Sequence, residues 1–163
     1  MSGTEVVVLV HALLGVLFIS ALIGRWVVLG LAERASDVRS MRTLANAASP
    51  FERMVRAVPG LVLIFGLLAA YLQGRNVLGP LTGGSVDWLF VALIVYLSPL
   101  PLIPLVFLPR GRVFEAAMAE AEAEGTVTPA VQTAWRDPVT RVAHVYELAS
   151  VTLVLILMLA KPF

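Results

Sequence analysis

Residues 6–31 read VVVLVHALLGVLFISALIGRWVVLGL. Apart from His11 and Arg25, this stretch holds no ionisable side chain. A helix needs about 20 apolar residues to cross the ~30 Å hydrocarbon of a bilayer, and this run supplies them. It has no basic segment before it and no small-residue cleavage signal after it, so it reads as a retained span rather than a signal peptide.

Three further runs share its character. They lie at about residues 57–74, 87–109 and 141–160. With the first run at about 6–31 they make one membrane domain over residues 1–163. The fold class is all-α: a polytopic four-helix transmembrane bundle with a short helical loop. The totals agree. The chain of 163 residues is 59% hydrophobic and 14% charged, with mean hydropathy +0.89. A soluble domain carries about 25% charged residues and could not cover that much apolar surface.

Other classes are excluded. There is no cysteine, hence no disulfide, thiolate metal site, iron–sulfur cluster or cysteine nucleophile. The net charge is +1, and no basic surface is interleaved with aromatics, so nucleic acid is not a partner. The partners implied are the lipid bilayer and a homo-oligomer or larger membrane complex.

Charge sets the direction. Arg25, Arg34, Arg39, Arg42, Arg53 and Arg56 belong to the first loop region, and Arg110, Arg112, Arg136 and Arg141 to the third. The other side holds only Arg75 and Lys161. The positive-inside rule then puts both termini outside and the long loops in the cytoplasm of a bacterial inner membrane.

Local signals mark the helix ends. Ser49-Pro50-Phe51-Glu52 reads as a capping Ser, a Pro in the first turn and a Glu reaching back. Asp137-Pro138 and Thr128-Pro129 start helices by the same logic, and Asp87 suits the dipole at the start of the third span. Gly125 stops an Ala/Glu-rich helix in the third loop, which reads as a solvated face or a docking surface. Pro59 is a kink position. Pro99, Pro101 and Pro104 each remove a backbone donor, so the carbonyls they free need other partners. That segment is a structural kink or an unwound stretch lining a ligand site.

Ionisable groups inside a membrane are expensive. By helix rise, Arg25 and Glu147 lie at similar depth, about 10 and 8 Å from the cytoplasmic end of their spans. They are expected to pair and join the first and last spans. His144 shares the face of Glu147 one turn away. The group is a structural clamp, or a proton or anion handle with His144 as relay. His11 shares a seam with Gly15, Phe18, Leu22 and Arg25, which points it into the bundle. It is a hydrogen-bonded core histidine or a ligand, and Gly15 one turn away allows close helix approach or leaves room for a flat ligand. His11 and His144 cannot both bind one haem iron: they lie ~18 Å apart along the membrane normal, whereas axial nitrogens sit about 4 Å apart. A second ligand for His11 would be Tyr71, Met158 or none. No metal site is assigned.

The stretches SPFERMVRAVPGLVLIFGLLAAY, RDPVTRVAHVYELA and the closing LMLAKPF resemble a family of small bacterial four-helix integral membrane proteins of unknown function. The resemblance covers nearly the whole chain and implies fold and location. A fainter likeness links His11 and VPGLVLIFGL, with Pro59 and Gly66, to the membrane protoporphyrinogen oxidase and copper-resistance families. It implies haem b as cofactor with His11 as axial ligand. The sequence departs from that pattern in having no Trp between His11 and Arg25 and no histidine in its middle spans. The expected function is a non-enzymatic accessory or scaffold subunit or homo-oligomer. The alternatives are a haem-binding redox protein using His11, and a small transporter or channel using Glu147, His144 and the Pro-rich third span.

Overall fold

A computed structural model describes residues 1–162 and contains no β-strand among them. The chain runs α1 (Gly3–Glu33), α2 (Val38–Ala47), α3 (Ser49–Leu72), α4 (Trp88–Leu97), α5 (Leu108–Glu124), α6 (Pro129–Trp135) and α7 (Pro138–Ala160). α1, α3 and α7 are each long and apolar enough to cross a membrane. α1 packs along α3, and α4 along α7. Phe18, Leu22, Val58, Val62 and Val151 bury the centre where these helices meet.

The third apolar run is not one helix. α4 ends at Leu97, and at about 1.5 Å per residue it rises only ~15 Å. A π-helical turn, Ile103–Phe107, follows and leads into α5. Proline chemistry explains the break. In a regular helix the carbonyls of Val95, Leu97 and Leu100 would accept from residues 99, 101 and 104, which are all proline and lack the donor. Each finds another donor: the Ser98 hydroxyl reaches the Val95 carbonyl at 2.8 Å, and the amides of Leu100 and Ile103 donate to Leu97 and Leu100 at 3.1 Å.

Two helix starts follow the sequence signals. Asp137 and Thr128 cap α7 and α6 through Thr140 and Val131. Asp87 is itself the cap of α4 and accepts from Leu89. Gly125 ends α5 with φ +70°. Ser49 behaves differently from expectation. The residue before α3 is Ala48, in helical conformation and with no side-chain cap. Ala48 is fully buried at 0% exposure, so the chain passes from α2 into α3 almost without a break.

The loops at one end of the bundle form a cap. Val38 and Met41 of α2, Ala117, Met118 and Ala121 of α5, and Val131 of α6 share a buried core. Phe114 meets the Trp135 ring edge-on at 4.7 Å, and the Trp135 indole N–H donates to Met41 Sδ at 3.1 Å. Arg42 bonds Glu115 at 2.9 Å and Glu122 at 3.2 Å. The bond to Glu115 holds its pKa above the ordinary value although partial burial opposes this. The Ala/Glu helix of the third loop reads in the sequence as a solvated face or a docking surface; one face of it is packed shut against α2 and α6.

Candidate functional site

α1 carries Arg25 and the first half of α7 carries His144 and Glu147. The Arg25 and Glu147 side chains, each 13% exposed, bond to each other. Arg141 bonds Glu33 at 3.3 Å in the same antiparallel register. A lone charge here would have to be desolvated without compensation, so each partner depends on the other. His144 does not join the pair by a hydrogen bond among the described residues. Its ring stacks on Phe107, with centroids 4.9 Å apart and planes at 20°. The broken third run therefore has a definite product: Pro99, Pro101 and Pro104 bend the chain so that the π-turn lays Phe107 on His144. Tyr146 adds a second tie, donating to the Ser98 hydroxyl at 2.7 Å.

His11 lies toward the other end of α1. Its Nδ1 is 3.0 Å from the carbonyl oxygen of Val62 on α3. A carbonyl can only accept, so Nδ1 carries the proton and Nε2 keeps a lone pair in the neutral ring. The ring sits directly against Gly66. A Cβ added there would stand 2.8 Å from His11 Cε1, so no residue but glycine fits without displacing the imidazole. The glycine beside His11 in the sequence plays no such part, because a Cβ on Gly15 would meet nothing within 4 Å. A second close approach occurs at Gly24, whose added Cβ would lie 2.5 Å from Phe51 Cε1.

The contacts of His11 with Val62 and Gly66, and of Gly24 with Phe51, fix the α1–α3 register. In it Arg25 lies level with Pro50. The apolar run of α3 starts at Ala57, ~10 Å further in. On the outer surface of α1, Trp26, Val27 and Leu31 remain exposed and apolar.

The structure does not bring all the singled-out residues together. From the Arg25–Glu147 contact, helix rise puts His11 and His144 ~25 Å apart along the bundle. Tyr71 is 78% exposed at the end of α3. No group of three or more His, Asp or Glu side chains fit to hold a metal occurs among the described residues. α3 stays helical through Pro59, and the Pro59 carbonyl accepts from the Tyr96 hydroxyl at 2.8 Å. Tyr96, Ser98 and Phe107 were not singled out from the sequence. Ser98 could have been, because it stands immediately before a proline that orphans a carbonyl one turn back.

Every buried side-chain nitrogen and oxygen among the described residues has a partner. Long apolar helices, with a buried Arg25–Glu147 pair between two of them, define an all-α integral membrane protein. The chain belongs to the family described as "Predicted integral membrane protein (DUF2269)", whose model matches residues 5–162. No curated protein matches the chain, and no solved structure does.

Proposed function

We propose that the protein is a small non-enzymatic accessory or scaffold subunit of the bacterial cytoplasmic membrane. It crosses four times with both termini outside, α4 and the π-turn together making the third crossing. One observation carries this reading: four polar side chains of the spans are bonded within the chain. Arg25 holds Glu147, His11 holds Val62, Tyr96 holds Pro59 and Tyr146 holds Ser98. Such groups lock a bundle and leave its apolar outer faces for lipid or for other helices. The test is the size of the particle extracted from native membranes in mild detergent, by native mass spectrometry. A defined homo-oligomer or stoichiometric complex is expected, and a monomer without protein partners would overturn the reading. The chain lacks cysteine, so single cysteines placed at Ser2 and Ser36 and labelled in intact cells check the orientation. Ser2 should label from outside and Ser36 should not.

The His11 geometry favours a second reading, a haem-binding redox protein. A metal-binding histidine almost always donates its other N–H to a carbonyl or carboxylate, and the Nδ1 bond to Val62 leaves Nε2 as the donor atom. Haem would supply electron transfer or O₂ chemistry, and His11 would hold it through Nε2. A Soret band that shifts on reduction and is lost in His11→Ala would establish this reading. A colourless protein from haem-replete cells would remove it.

A further inference from the structure

The arginines at the cap end of the bundle fall into two sets. Arg25, Arg42, Arg110 and Arg141 are bonded to carboxylates. Arg34, Arg39, Arg53, Arg56, Arg112 and Arg136 are exposed and make no ion pair among the described residues. At the opposite end, Arg75 is within 3.9 Å of Asp87. The unpaired set stands where helices leave the apolar spans. Arg34 caps α1, Arg136 caps α6 just before α7 begins, and Arg53 and Arg56 lie in the first two turns of α3.

Arg53 and Arg56 are the most telling. The α1–α3 register puts them level with Leu22 and Ile19, inside the stretch of α1 between His11 and Arg25 that carries no charge. Three residues apart, they project from one face of α3 with Cβ atoms about 5–6 Å apart. Arg56 spends Nε on the Glu52 carbonyl at 3.3 Å, which leaves its terminal nitrogens free. Glu52 stands one turn before Arg56, yet no carboxylate pairs with either guanidinium, so two exposed cations beside apolar surface are open to an anion that the membrane boundary itself supplies.

We propose that Arg53 and Arg56 form a phosphate clamp for the headgroup of an anionic phospholipid, and that the other unpaired arginines extend it into a belt. Forked N–H donors match phosphate oxygens bidentately, as an ammonium cannot. The acyl chains would lie on the apolar surface of α1 and α3 beside the clamp. The proposal rests on the bilayer placement above but not on its direction, because the clamp would bind in either leaflet.

The test is titration of the full-length protein in dodecylmaltoside with dioleoyl phosphatidylglycerol, scored by native mass spectrometry. Each arginine near an anionic surface contributes about five-fold in affinity, so Arg53→Gln/Arg56→Gln should weaken binding about 25-fold. Arg75→Gln should leave it unchanged. Equal binding of phosphatidylcholine by the wild type, or unchanged affinity in the double variant, would overturn the proposal. Should the double variant not fold, the wild type alone decides: raising salt from 50 to 500 mM must weaken phosphatidylglycerol binding, and salt-insensitive binding refutes the clamp. Inorganic phosphate must compete no better than chloride at equal ionic strength. Competition specific to phosphate would assign the site to a free phosphorylated ligand instead of lipid.

Discussion

The cap and the spans are both helical, yet they are held together by different physics. In the cap, Met41, Met118 and Val131 are the largest fully buried side chains of the molecule, and its core resembles that of a small water-soluble domain. In the spans, many large apolar residues point outward: Val16, Ile64 and Leu159 are 63%, 60% and 76% exposed. The buried positions there are often Ala or Val. Against water, burying Met118 removes apolar surface from solvent. Against lipid, burying a leucine gains little, because the solvent is already hydrocarbon. What distinguishes one arrangement of the spans from another is polar pairing and close backbone approach.

That contrast can be broken by mutation. The largest effect should come from Glu147→Ala, which leaves Arg25 buried without a partner. A loss of about 3–5 kcal/mol is expected, seen as a lowered midpoint in SDS or thermal unfolding of the purified protein. Arg25→Met/Glu147→Leu should recover most of it, since the cost belongs to the uncompensated charge. If the double variant is as unstable as the single, the pair is not what joins α1 to α7.

Next comes Met118→Ala, with an expected loss of about 2–4 kcal/mol from the cavity left in the cap core. Hydrogen exchange should quicken in α2, α5 and α6 and stay slow in α1 and α3. Leu159→Ala removes a similar side chain from a surface facing lipid and should change stability by less than about 0.5 kcal/mol. Equal effects at the two sites would mean that cap and spans obey the same rule after all.

Gly66→Ala tests close approach in the spans, with an expected cost of about 1–3 kcal/mol for overpacking. Its signature is local. The added methyl must push the His11 ring off the Val62 carbonyl, which changes the imidazole nitrogen shifts in ¹⁵N NMR. Gly15→Ala, in open space, should leave them unchanged.

How much of this could be read beforehand follows the same division. The apolar runs were legible because lipid imposes a length and a composition on each span. The caps at Asp137 and Thr128 were legible because the cap and its partner lie three residues apart in sequence. The roles of Gly66 and Gly24 were not, because they depend on which helix lies opposite and in what register. Gly15, on the His11 seam, looked like the close approach, but the ring turns to α3. The cap was missed for a related reason. Ala117, Met118 and Ala121 form a modest stripe on an Ala/Glu helix, and it becomes a core only when α2 and α6 cover it. Ser49 failed as a cap because the buried Ala48 before it keeps a helical conformation, which puts Ser49 inside α3 instead of at its boundary.

The smallest loss expected from removing an interaction lies at the seam between the two regions. Asp137 caps α7 and also receives Arg110 from the start of α5. Partial burial would raise its carboxyl pKa, but the Thr140 hydroxyl and amide, and then Arg110, outweigh it and hold the pKa below the ordinary value of 3.8. A folded pKa below the unfolded one means the carboxylate stabilises the fold at neutral pH. The contribution is complete above the ordinary value and fades as pH falls through it, vanishing below the lowered folded value. Asp137→Asn keeps an acceptor for the cap and removes the charge, so it should cost about 1 kcal/mol or less at pH 7. The difference from wild type should shrink as pH falls through 3.8 and close below the lowered folded value. Unfolding midpoints of both proteins across that range measure it. A gap that persists at the acid end would show that shape rather than charge at Asp137 couples the cap to the last span.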